Sequence, residues 1–313
     1  AAARELVRLY AVAVIALGGG SAIVTARAAG ILAVEAGDAR RLCTSRDAHG
    51  QLRSPRLDAP KLPQFVIPTT PTTAIVKAGS AVLDPADGSR LALFDPKTRA
   101  QAVFIDPYLI GRLNTLAGAI EGLSSRAGNP MSDAYLIHAL RMLVRELPGM
   151  ARADGPQARS QLMLAAIMCG QGTDHTGAGI ALPLGHALSA RFRIDNGIAN
   201  AILLPHVLRF NAAAMDEGLR KIAIGMAEAN ADADAGAGGG ADAAVASPGD
   251  RIGAARGALF VALGLPRRLR DVGVPQASLG ELAAIAMGDW FVRDNPRKVR
   301  GPEELEELLR EAW

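Results

Sequence analysis

Apolar side chains follow two rhythms in this chain. Up to about residue 110 they come in short runs bounded by glycine, proline and polar residues, and beyond it they recur every three or four positions. The first pattern predicts strands and the second predicts helices with one buried face. "LYAVAVIAL" (9–17), "FVIPTT" (65–70) and "AVFIDP" (102–107) accordingly read as strands, the first apolar enough to be buried in a parallel sheet. "SAVLDPADGSRLALFD" (80–95) reads as a hairpin turning at "PADG". Between the first two strands, "GGGS" (18–21) predicts a tight turn and "AIVTARAAGILAVEAG" (22–37) a helix, with Ser21 as its N-cap and Gly37 at its end.

Helical spacing predicts helices near 114–127, 132–147, 155–172, 177–190, 196–210 and 214–230, and again in "RIGAARGALFVALG", "SLGELAAIAMGDWFV" and "GPEELEELLREAW". The Ala/Gly/Asp tract at 230–250 has too little to bury and reads as a loop. The fold class is therefore α/β followed by all-α, with an α/β domain over 1–109 and an all-helical domain over 110–313. A dinucleotide-binding fold uses two mononucleotide halves. Residues 1–109 hold only part of such a sheet, so a truncated Rossmann-like domain is expected, or else the chain is a fragment.

Composition narrows the function classes. The 313 residues are 50% hydrophobic and 21% charged, with a net charge of +3 and basic residues scattered along the chain. That is a globular composition without the basic patch of a nucleic-acid binder. Cys43 and Cys169 have neither metal-ligand nor disulfide spacing, which points to a reducing cytoplasm. The opening "RLYAVAVIAL" has the outline of a signal peptide, but it runs straight into "GGGS" as a strand does. No run reaches the ~18 apolar residues of a membrane span, so no membrane partner is expected.

Six blocks then occur in a telling order: "GGGSAIVTARAAG", "IPTTPTTA", "FIDPYLI", "AGAIEGLSSRAGNPMSDAYLIHAL", "GIANAILLPHVLRFN" and "DNPR". Together they resemble the iron-containing alcohol dehydrogenase family, whose fold is shared with dehydroquinate synthase. The resemblance spans almost the whole chain and lacks only the family's first strand–helix segment. It implies oxidation of alcohols or reduction of aldehydes with NAD or NADP, at an iron or zinc ion held in the cleft between the domains.

The family's metal ligands are an Asp and a His one helical turn apart and two further His. Residues at i and i+4 share a helix face, so the first pair can reach one ion. In this chain the corresponding positions are Asn114, Gly118, Leu182 and Asn196. A glycine and a leucine offer no donor, and amide oxygens are poor ligands for iron or zinc. The expectation is that no metal is held tightly. The alkoxide that precedes hydride transfer would then lose its main stabiliser.

On the nucleotide side, Gly18, Gly19, Gly20 and Ser21 keep a turn that lets backbone N–H groups approach a pyrophosphate. Its alternative reading is a relic turn kept for folding. Thr69, Thr70 and Thr73 match family positions that line the cofactor, and Arg90 replaces a cofactor-facing lysine if a one-residue gap is allowed. A Gly-Ser-Glu-type stretch has become Ala74, Ile75 and Val76, and an Asp–Lys pair has become Val24 and Arg27. NAD or NADP is expected to bind weakly.

Among the histidines, His186 matches a non-liganding residue close to the family's metal. It is either an acid–base group, with an ordinary pKa of about 6.5, or a histidine simply hydrogen-bonded in the bundle. Asp174 and His175 read as a loop before the 177–190 helix, His138 and His206 as structural, and His49 as solvated. Glu121 reads as a packing or hydrogen-bonding residue.

Three functions stay open at this point. One is an oxidoreductase of the family with reduced or lost activity. Another is a redeployed, metal-independent enzyme acting on a small organic substrate in the interdomain cleft through His186, Asp195 and Asn196, with Asn114 opposite. The third is a non-catalytic subunit. A homodimer is the expected assembly.

Overall fold

A computed structural model describes residues 1–47, 51–84, 90–105, 115–150, 155–234 and 266–313. His49, the "PADG" turn, Asn114 and the expected helix at 251–264 lie outside these residues. The chain forms two compact units, Ala1–Gly111 and Arg112–Trp313.

In the first unit a short helix, α1 (Ala2–Arg8), comes before any strand. The chain then turns at Tyr10, whose φ of 50° is left-handed. Strand β1 therefore spans only Val14–Gly18, because Leu9 and Tyr10 are used in closing α1 and making that turn. β1 pairs in parallel with β4 (Gln64–Pro68), and β4 with β7 (Ala102–Val103). The helix between β1 and β4 is α2 (Gly20–Val34), which makes a βαβ unit. The remaining strands form two antiparallel pairs, β2 (Ser45–Arg46) with β3 (Leu52–Arg53) and β5 (Gly79–Leu83) with β6 (Arg90–Phe94). The last pair is the expected hairpin.

Two details of this unit differ from expectation. Helix α2 starts at Gly20 with Gly19 as N-cap and no side-chain cap, so Ser21 lies inside the first turn, and the helix ends at Val34, before Gly37. The strand expected to be buried is buried only at Ala16, while Ile15 and Leu17 are 67% and 60% exposed. β1 is an outer strand of its sheet among the described residues. An open apolar groove of about 680 Å³ lies beside it, lined by residues that include Leu6, Val14, Ala16, Thr25 and Ala26. One apolar cluster of the unit gathers Ala28, Ile31, Cys43, Leu57 and Leu93, and Ile23, Val66 and Ile75 are buried as well. Beside it, the buried Lys61 ammonium bridges Glu35 at 2.5 Å and Asp95 at 3.1 Å.

The second unit is built from α3 (Thr115–Ser124), α4 (Pro130–Met150), α5 (Pro156–Thr176), α6 (Ala181–Phe192), α7 (Asn196–Asn211), α8 (Asp216–Asp234), α9 (Leu279–Met287) and α10 (Pro302–Ala312). Proline occupies the first position of α4, α5 and α10, where its missing N–H breaks no helical bond. Gly177 ends α5 at φ 65°, and a Cβ there would lie 2.6 Å from Asp294 Oδ2, so glycine is required. α10 buries Leu305, Leu308, Leu309 and Ala312 along one stripe.

Among the described residues of this unit, two large apolar clusters stand out. One joins α3, α4 and α5 with parts of α7 and α8, and the other joins α6, α7, α9 and α10. Small residues allow the close crossings. A Cβ on Gly172 of α5 would lie 2.5 Å from Leu136 Cγ of α4, and one on Gly185 of α6 would fall on Asn200 Oδ1 of α7. The "DNPR" segment ties α7 to α10. Asn295 and Asn211 exchange amide hydrogen bonds at 2.7 and 2.9 Å, and Arg297 stacks 3.9 Å over the Phe210 ring while pairing with Glu304.

Candidate functional site

The glycine turn and the threonine loop meet at the C-terminal ends of β1 and β4. Gly18 has φ 142°, and its carbonyl accepts the Thr69 N–H at 3.0 Å. A Cβ on Gly19 would lie 3.0 Å from Thr70 Oγ1, and one on Gly20 would lie 2.9 Å from Thr72 Oγ1. The two hydroxyls thus stand where side chains on the turn would be, and glycine is what lets the loops touch. Above this contact, the first N–H groups of α2 have no side-chain cap. Uncapped N–H groups at the positive end of a helix form an anion site.

Among the residues expected to line the cofactor, Thr69 acts here through its backbone, Thr70 through its hydroxyl, and Thr73 opens a 3-10 turn, Thr73–Ile75. Thr72, which was not singled out, caps that turn by accepting the Ala74 N–H at 3.2 Å. Ser21 is exposed, and Arg90 lies in β6 opposite Leu83. Arg27 is buried and donates to the carbonyls of Ala74 at 2.6 Å and Gly79 at 2.8 Å. It pins the segment after the threonines against α2.

In the second unit, Glu121 of α3 is buried and caps the start of α6. It accepts the N–H groups of Ala181 at 2.6 Å and Leu182 at 3.3 Å, with Gly179 N–H nearby. Burial raises its pKa to about 7 even though these N–H groups favour the charged form. Leu182 turns its side chain into the apolar cluster of α3, α4 and α5. A Cβ on Gly118 would meet Cys169 Sγ at 3.4 Å. Asn196 Oδ1 is buried without a hydrogen-bond partner, while the preceding Asp195 caps α7 by accepting Gly197 N–H at 2.8 Å and Ile198 N–H at 3.2 Å. Asp195 thus uses its carboxylate on its own helix.

His186 of α6 is half-buried, and its Nδ1 lies 3.3 Å from Oδ2 of the buried Asp289. The other Asp289 oxygen, Oδ1, accepts the Phe291 N–H at 3.2 Å. No motif marked Asp289, which is 103 positions away from its partner. Asp174 and His175 lie on the exposed last turn of α5, where a loop was expected. His138 contacts Arg141 at 3.0 Å, and His206 contacts Arg209 at 2.8 Å and Glu311 at 3.6 Å.

Residues 1–107 match the sequence model described as iron-containing alcohol dehydrogenase, and residues 109–313 match that of the Fe-containing alcohol dehydrogenase family, C-terminal. Lactaldehyde reductase of Escherichia coli K12 is 31% identical over 319 residues, covering 96% of this chain and 76% of that protein. The fold matches the crystal structure of a 1,3-propanediol oxidoreductase with a TM-score of 0.84 at 24% identity, over 99% of this chain and 79% of the other. It also matches the iron-containing alcohol dehydrogenase of Thermococcus thioreducens with a TM-score of 0.80 at 22% identity, over 99% and 80%. The expected iron-type alcohol dehydrogenase fold is therefore what the chain adopts.

These matches correct the expectation of a protein without a metal and with scant claim to a nicotinamide. Both sequence models and the Thermococcus structure describe iron-containing dehydrogenases, so iron and a nicotinamide cofactor are what the likeness implies. The described side chains at the corresponding positions do not by themselves fit an iron ion. Asn196 offers one unpartnered oxygen, Gly118 and Leu182 offer none, and no group of three His, Cys, Asp or Glu is gathered among the described residues. No helix among those residues is long and apolar enough to cross a membrane.

Proposed function

Because the chain belongs to the iron-containing alcohol dehydrogenase family, we propose that it is a nicotinamide-linked oxidoreductase interconverting small alcohols and aldehydes. The observation that carries this reading is the glycine turn with its two threonines. It combines an uncapped helix N-terminus, side-chain-free backbone and two hydroxyls within about one residue's reach, the features that bind a pyrophosphate. Short hydroxyaldehydes and diols are the substrate class, by likeness to lactaldehyde reductase and 1,3-propanediol oxidoreductase.

His186 serves as the acid–base group in this reading, with one nitrogen held by a carboxylate and its ring partly open to solvent. Asn196 supports by hydrogen bonding through its unpartnered Oδ1. Turnover is lower than in the relatives, because Gly118 and Leu182 bring no polar atom to positions where the family has histidines.

The test is purified protein supplied with iron(II), followed by NADH and NADPH fluorescence on binding and by cofactor oxidation with lactaldehyde and 3-hydroxypropionaldehyde. Binding of one cofactor with slow aldehyde reduction is the expected result. Failure to bind either cofactor, together with no reduction of any short aldehyde, overturns the reading.

A further inference from the structure

Large apolar side chains crowd onto one flank of the first unit. Val7, Leu9, Tyr10, Val12, Ile15 and Leu17 are 57% to 89% exposed, six within eleven residues of chain. A single exposed apolar residue is ordinary, but a contiguous patch marks a contact surface. This patch runs along α1, the turn at Tyr10 and β1, and Ile15 and Leu17 line the open groove of about 680 Å³ together with Leu6 of α1. Among the described residues lining that groove only Glu5 is charged, and Arg8 pairs with it at 2.8 Å.

The sheet gives the same flank a second reason to be covered. Strands β1, β4 and β7 are all parallel, and such sheets are ordinarily buried on both faces. Ala16 and its register partner Val66 are buried, so the face they share is closed. Side chains alternate along a strand, which puts Ile15 and Leu17 on the other face. There they stand exposed, as does Phe104 just beyond β7.

We propose that this flank is the contact between two copies of the chain, related by a twofold axis that passes near Ile15 and Leu17. A twofold contact needs a surface that fits itself, with projections and a recess to receive them. The flank has both. Tyr10 and Val12 are its most exposed side chains, and the groove is lined by the elements on either side of them. Six side chains at these exposures present on the order of 500 Å² of apolar surface. A stable dimer buries about 800 Å² on each partner, of which about 65% is apolar. The two amounts agree, so one copy supplies enough apolar surface to cover another.

The experiment is sedimentation velocity of the full chain over a range of micromolar concentrations. The parent should sediment as a dimer. Ile15→Lys combined with Leu17→Lys should sediment as a monomer, with an unchanged far-ultraviolet circular dichroism spectrum. Val12→Lys, outside the sheet, should raise the dimer dissociation constant about tenfold, and it decides the matter if the changes in β1 prevent folding. Leu164→Lys, at an exposed position of the second unit, should leave the dimer intact. A monomeric parent overturns the proposal and leaves the flank to a partner of different sequence. A dimer that survives all three substitutions on the flank overturns it as well, by placing the contact elsewhere.

Discussion

Glu121 Oε1 accepts the Ala181 N–H at 2.6 Å, so a carboxylate in α3 closes the start of a helix sixty positions further on. Burial raises the Glu121 pKa to about 7, against an ordinary 4.5. The folded state therefore holds this proton more tightly than the unfolded chain. The group's stabilisation is complete below about pH 4.5, declines as the pH rises towards 7, and is gone above it. The full change is about 3 kcal/mol. Glu121→Gln should remove this slope. Urea midpoints measured across that pH range in both proteins will show it, and parallel profiles would refute the assignment.

Gly19→Ala puts a methyl group 3.0 Å from Thr70 Oγ1 and pushes the glycine turn and the threonine loop apart. NADH affinity should fall about tenfold, equivalent to about 1.4 kcal/mol, with little change in the thermal melt. Fluorescence titration checks this. Equal affinity in the two proteins would mean that the turn does not carry the pyrophosphate.

Arg27→Met leaves the carbonyls of Ala74 and Gly79 without the donors that now hold them. The expected loss of stability is about 2 kcal/mol, typical of buried acceptors left unpaired. Faster amide exchange in residues 74–79, with the second unit unaffected, would place the effect in this segment. Exchange unchanged there would count against it.

Gly185→Ala drives a methyl group onto Asn200 where α6 crosses α7. Overpacking of this kind costs about 1–3 kcal/mol. A lowered denaturation midpoint is the expected outcome, and a variant as stable as the parent would show that the crossing relaxes freely.

Local signals made much of the fold readable. The glycines after β1, the prolines opening α5 and α10, and the leucine stripe of α10 each act within one or two turns of chain. Other features depend on what lies across space. The exposure of Ile15 and Leu17 is set by what packs on the sheet, and composition alone cannot distinguish an outer strand from a central one. Asp289 takes its meaning from α6, 103 positions away, and nothing beside it in sequence signals that contact, while Thr72 lies inside a threonine run and caps the turn that its neighbour Thr73 opens. Asp195 stands in the ordinary N-cap position before α7, and its carboxylate is used there.

The outer flank of β1 has a practical consequence. Among the described residues no strand pairs with that side of β1, and its backbone amides and carbonyls, next to outward Ile15 and Leu17, act like half of a zipper that an extended polypeptide can close. Concentrated samples of this chain should therefore scatter light. Lysine at positions 15 and 17 should keep them clear.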